Sequence, residues 1–179
     1  MKASSLANWA VKAAKNTRRL KEMLAREHVP SMYINDNFEE WGGEFSRLIE
    51  RCTKQQGAAH EIAGLLQPGD ADYVLMKPRH SAFYGSALEF LLEELEVKRL
   101  ILTGLEADVC IFFTAQDAYV RQFQLWIPSN CVGTKNDRYY HTALEHMRRN
   151  LKATTIPAGR ELRFDAVFPR GQLNRSRKG

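Results

Sequence analysis

Three residues with side chains suited to covalent chemistry each stand just past an apolar run. Asp36 closes SMYIND, Lys77 closes DYVLMK, and Cys110 follows RLILTGLEADV. A deprotonated cysteine is a strong nucleophile, an ammonium stabilises negative charge, and a carboxylate accepts protons or pairs with a cation. In an open parallel α/β sheet, ligands gather beyond the carboxyl ends of the strands. If the three runs are strands of one sheet, the three side chains share that edge.

Cys110 has a second advantage. A strand over Arg99–Thr103 followed by a helix from Asp108 to about Phe123 puts Cys110 in the first helical turn, with Asp108 as N-cap. Free backbone N–H groups and the helix dipole favour a thiolate there. The same N–H groups suit the oxyanion of a tetrahedral intermediate. Spacing alone leaves the plainer readings open. Free cysteines are among the most buried residues, a lysine after a strand often only meets solvent, and Asp36 would also serve as a cap. Cys52 fits a small apolar position on a helix face, and Cys131, in the loop PSNCVGT, fits a structural role.

The elements that must position these groups follow from periodicity. Leu6, Trp9, Ala10, Ala13, Ala14, Thr17, Leu20 and Leu24 lie at helical spacing, and His28-Val29-Pro30 ends that helix. Strands are predicted at 31–36, 72–77, 99–103, 124–128 and 153–158. Helices are predicted within 38–56 and over 60–66, 86–95, 108–123 and 139–151, with a turn at Gln67-Pro68-Gly69-Asp70. Strands alternating with helices imply a parallel sheet covered by helices on both faces.

Composition narrows the function classes. The 179 residues are 44% hydrophobic and 26% charged, ordinary for one globular domain. No run of about 18 apolar residues suggests a membrane span, and no secretory leader pattern opens the chain, so a cytoplasmic location is expected. The net charge is +5, but Arg170, Arg175, Arg177 and Lys178 crowd the last ten residues, which hold no acid. The positive charge belongs to a tail, and nucleic acid is not the expected partner. Three cysteines without close pairs suggest neither a disulfide framework nor a zinc site.

The motifs LILTGLEADVCIFFTAQDA, VLMKPRHSAFYGSALEFLL, VPSMYINDNFEEW and LWIPSNCVGT, then YYHTALEHMRRNLKATT, resemble in order those of the isochorismatase-like cysteine hydrolases. The resemblance covers roughly 8–158. It implies a three-layer α/β/α sandwich around a mostly parallel six-stranded sheet, in a domain over 1–160 with a basic tail over 161–179. It implies an Asp-Lys-Cys triad in which Cys110 is the nucleophile and Lys77 the lysine. A cis peptide is expected at Leu105-Glu106, and an oxyanion hole from the backbone N–H groups of Glu106 and Cys110. The implied activity is hydrolysis of a small amide-type C–N bond through a thioester at Cys110, without cofactor, in a homo-oligomer acting on a small molecule. Asp36, Phe38, Trp41, Phe83 and Tyr84 are candidates for the substrate pocket.

Two departures shape the expectation. After the second strand, nicotinamidase-type relatives carry an Asp-x-His metal pair, whereas this chain reads Asp36-Asn37-Phe38, so no metal is expected. The family's first strand, which ends in the triad aspartate, has no counterpart, and its place is expected between the strands of Asp36 and Lys77. By the same comparison Asp36 lies too far along the site to replace that acid. The alternative function is therefore an N-terminally truncated, catalytically impaired homologue with a binding or structural role.

Overall fold

The computed structural model describes residues 5–37, 45–54 and 56–168. Phe38, Trp41 and the basic residues from 170 onward lie outside them.

Helix α1 (Ser5–Arg26) forms where the periodicity predicts, burying Ala10, Ala13, Ala14, Leu20 and Leu24. His28 ends it in the left-handed region at φ 57, and the Val29 N–H bonds back to the Leu24 carbonyl. Strand β1 (Met32–Asp36) follows, then α2 (Phe45–Lys54), α3 (Ala58–Leu65) and β2 (Tyr73–Lys77). Next come α4 (Leu88–Glu94), β3 (Arg99–Ile101) and β4 (Gly104–Leu105). The chain continues through α5 (Cys110–Val120), β5 (Gln124–Trp126), a 3-10 turn (Ser129–Cys131) and β6 (Val132–Gly133) to α6 (Asp137–Asn150) and α7 (Phe164–Val167). The strand expected over 99–103 ends early, at Ile101, and a second short strand begins past it at Gly104. Gly104, at φ +118, turns the backbone between β3 and β4. The strand expected over 153–158 is reduced to one parallel bridge between Thr154 and Trp126.

Every strand pairing is parallel: β1 with β2, β3 with β5, β4 with β6. Side chains alternate across a strand, and two core clusters use that alternation. Leu125 of β5 and Leu100 of β3 pack into a cluster built largely from α4, α5 and α6. Their neighbours Trp126 and Ile101 pack into a second cluster with Leu20 and Leu24 of α1. The β3–β5 ladder is therefore covered on both faces, which is an α/β/α sandwich.

Two expectations need correction. The gap for a missing strand was placed between the strands of Asp36 and Lys77, but β1 and β2 are directly paired, Met32 opposite Tyr73 through Asp36 opposite Lys77. The unpaired edges lie elsewhere: among the described residues β2 bonds only to β1, and β3 only to β5. Tyr73 and Val74 at the start of β2 are more than a third exposed. The second correction concerns the tail. Leu162, Phe164, Val167 and Phe168 join the second core cluster, with Val167 and Phe168 buried. The packed domain therefore extends through Phe168, past the boundary expected at residue 160, because ELRFDAVF supplies apolar side chains to an otherwise uncovered face of α1 and Trp126.

Candidate active site

Register brings the first two groups together. Asp36 and Lys77 are partners across the parallel β1–β2 ladder, so their side chains leave the sheet on the same side. The Lys77 Nζ donates to Asp36 Oδ1 at 2.5 Å. The lysine side chain is 5% exposed and that of Asp36 30%. An ammonium this buried requires a counter-charge, and Asp36 provides it. Asp36, expected to lie too far along the site to replace the family's triad acid, touches the lysine directly.

The third group arrives from the segment that follows β3 and β4. Lys77 Nζ also approaches Cys110 Sγ at 3.8 Å. Cys110 is the first residue of the 11-residue α5 and is partly exposed. It is therefore reachable while facing a cation, and the N-terminal end of α5 adds positive potential to that side. Asp108 is not the N-cap: Val109 holds that place without a side-chain bond, and the Asp108 carboxylate accepts the Thr134 hydroxyl instead.

The loop before α5 is held by its backbone. The Leu105–Glu106 peptide is cis. The Ala107 N–H donates to the Gly133 carbonyl at 2.8 Å, and the N–H groups of Val109 and Ile111 donate to the Glu106 carbonyl. The N–H groups of Glu106 and Cys110 take no part in these bonds. Gly133 permits the close approach: a Cβ there would lie 3.0 Å from the Trp9 Cβ and 3.2 Å from Leu105 Cδ2. The Glu106 side chain turns to Lys135 at 3.1 Å.

The lysine loop is docked onto α5 separately. Ser81 Oγ donates to Asp117, and the Ala82 N–H donates to Thr114 Oγ1 at 2.9 Å. These bonds fix the segment after Lys77 against the helix that begins with Cys110. No reading of spacing singled out Ser81, Thr114 or Asp117. The polar positions of α5 that face inward, among them the buried Thr114, were the available signal.

The remaining pocket candidates divide. Phe83 packs in the main core, its ring centroid 6.1 Å from that of Phe123 and 4.9 Å from the Arg121 guanidinium. Tyr84 is 61% exposed. Cys131 is fully buried, and burial pushes its thiol up to about 11. Cys52 lies on α2, half-buried. Among the described residues no three His, Cys, Asp or Glu side chains gather as a metal site, and His60 faces the Thr53 carbonyl at 2.9 Å.

Comparison with known proteins identifies the family and the fold. The chain is 37% identical over 149 residues to the isochorismatase family protein YaaI of Bacillus subtilis, whose activity is uncharacterised, covering 83% of this chain and 81% of that one. The crystal structure of N-carbamoylsarcosine amidase from Thermoplasma acidophilum superposes with a TM-score of 0.66 at 27% identity, over 84% of each chain. An isochorismatase family protein from Desulfovibrio vulgaris shares the fold with a TM-score of 0.68 at 22% identity, over 84% of this chain and 82% of its own. The isochorismatase domain model matches residues 3–158. With parallel strands sandwiched by helices and a match over most of its length, the chain belongs to the isochorismatase family of hydrolases.

Proposed function

We propose that the protein is a cysteine-dependent hydrolase that cleaves a small amide-type C–N bond through a thioester on Cys110. The approach of the Lys77 ammonium to the Cys110 sulfur, 3.8 Å at the start of α5, carries this reading. The similarity to an N-carbamoylsarcosine amidase supports the substrate class.

Cys110 loses its thiol proton to solvent, and the thiolate is held against the ammonium of Lys77. The sulfur attacks the substrate carbonyl carbon, forming a C–S bond and an oxyanion. The backbone N–H groups of Glu106 and Cys110 are the donors assigned to that oxygen. The oxyanion collapses, the C–N bond breaks, and the leaving nitrogen takes a proton from Lys77. Water then adds to the thioester and gives its proton to the neutral lysine. The C–S bond breaks, returning thiolate, ammonium and a carboxylic acid. Acylation thus moves one proton from Lys77 to the leaving nitrogen, deacylation returns one from water to Lys77, and no cofactor is consumed.

The test combines intact-protein mass spectrometry with release of ammonia or amine from a panel of N-carbamoyl amino acids, ureides and small carboxamides. An acyl adduct on the native protein, missing from Cys110→Ala, is the expected result. The reading fails if no substrate is turned over and Cys110 reacts with iodoacetamide no faster than Cys52. That outcome would favour the impaired homologue.

A further inference from the structure

The carboxylate on Lys77 comes from β1, and it arrives by strand register. Because Asp36 stands opposite Lys77 in the β1–β2 ladder, the contact is built into the pairing and does not depend on a loop. The near-complete burial of the lysine side chain and its bond to Asp36 mark a fixed pair. Among the described residues, other charged groups on the elements around it are engaged elsewhere. Glu106 faces Lys135, Asp108 accepts from Thr134, and Asp117 is shared by Ser81 and Arg121. Arg79, two residues after Lys77, and His80, stacked on Phe113 with ring centroids 5.4 Å apart, complete the titratable groups of the adjoining loop.

We infer that Asp36 is the positioning residue of the nucleophile: its carboxylate keeps Lys77 charged and aimed at Cys110, making an Asp36–Lys77–Cys110 chain. This rests on the cysteine-hydrolase reading and deepens it. Asp36 touches neither the sulfur nor the reacting carbonyl in the proposed steps. Its effect passes through one atom, Lys77 Nζ, which meets both partners. An ammonium buried without a counter-charge tends to give up its proton. Removing the carboxylate then removes the cation beside the thiolate as well.

The sign of the effect separates this role from a local charge effect. If Asp36 were only a negative charge near the sulfur, its removal would favour the thiolate. If it holds the lysine charged, its removal disfavours the thiolate. The experiment is the rate of Cys110 alkylation by iodoacetamide in the full chain between pH 5 and pH 10, resolved by peptide mass spectrometry. Asp36→Asn, nearly isosteric, should move the midpoint of the profile up by about one pH unit, or about ten-fold slower alkylation near pH 7. Asp36→Glu, which restores the charge, should return most of the shift. Circular dichroism checks the fold, and Asp36→Ser is a second variant read in the same way. A midpoint at or below the native value in either neutral variant overturns the assignment. Slow alkylation of Cys110 in the native chain itself, no faster than Cys52, would instead defeat the hydrolase reading.

Discussion

Substituting Lys77 by methionine separates the site's chemistry from its stability. The substitution removes the ammonium 3.8 Å from the Cys110 sulfur and keeps a long apolar stem. Two unit charges about 4 Å apart attract by about 4 kcal/mol at an effective dielectric of about 20. Cys110 is partly exposed, so solvent screens much of this, leaving roughly 1–2 kcal/mol for the thiolate. Each 1.4 kcal/mol is about a factor of ten. Alkylation of Cys110 near pH 7 should therefore slow about five- to thirty-fold in Lys77→Met. Turnover should fall further, by about 10²-fold or more, because the proton donor to the leaving nitrogen is lost as well. Stability should fall as well, but modestly. Removing one member of a buried ion pair leaves the other unpaired and costs about 3–5 kcal/mol when both are fully buried. Asp36 is 30% exposed, so water compensates part of that cost and a loss of about 1–2 kcal/mol is expected. The assays are iodoacetamide kinetics and urea unfolding on the same preparation. Unchanged alkylation in a folded variant would refute the electrostatic account of Cys110.

Further outcomes follow from the packing. Cys131, its thiol pushed up to about 11 by burial, should resist alkylation in the folded protein up to about pH 9 and react only in denaturant. Phe168→Ala should cost about 3–5 kcal/mol in urea unfolding, since the ring is buried beside Trp126 and Leu20 and sits 5.7 Å from the Arg99 guanidinium; a loss below about 1 kcal/mol would mean that the segment after residue 160 does not belong to the core. Burial pulls Lys21 down, but its bonds to Asp72 and Tyr33 outweigh that and leave it raised above 10.5. A raised folded value means that this contribution is complete below 10.5 and is lost as pH climbs through the folded value. The stability difference between the native chain and Lys21→Met should therefore be constant from neutral pH to about pH 9.5 and shrink in stronger alkali.

Much of the site was legible because chemistry and periodicity coincide. Lys77 and Cys110 each follow an apolar run that the alternation identifies as a strand of a parallel sheet, and strand ends in such a sheet converge. Asp36 was visible as a residue but its role was not. Sequence spacing does not state which residue of β1 lies opposite which residue of β2, and that register alone sets the carboxylate on the lysine. Asp108 has the residue type and place of a cap, yet the Thr134 hydroxyl, 26 residues onward, competes successfully for its oxygen. Phe83 follows a strand end, where an aromatic ring suggests a ligand wall; its depth in the core depends on Phe123 and Arg121, which arrive from the far end of α5. ELRFDAVF, next to a strongly basic segment, was grouped with it by charge, although its own apolar residues fit a helix face.

The two halves of the proposed catalytic pair sit on separate ladders. Lys77 rides on β1–β2, while Cys110 follows the β3–β5 ladder and its neighbour β4–β6. The Lys21 bonds to Asp72 and Tyr33 moor the first ladder to α1, and α1 packs on β4 and β6. The distance between ammonium and sulfur is thus the opening of a joint between two blocks. Thiol reactivity becomes a gauge of how firmly those blocks are seated, so that a substitution at the Lys21 mooring, well removed from the sulfur, would be felt there as a change in alkylation rate.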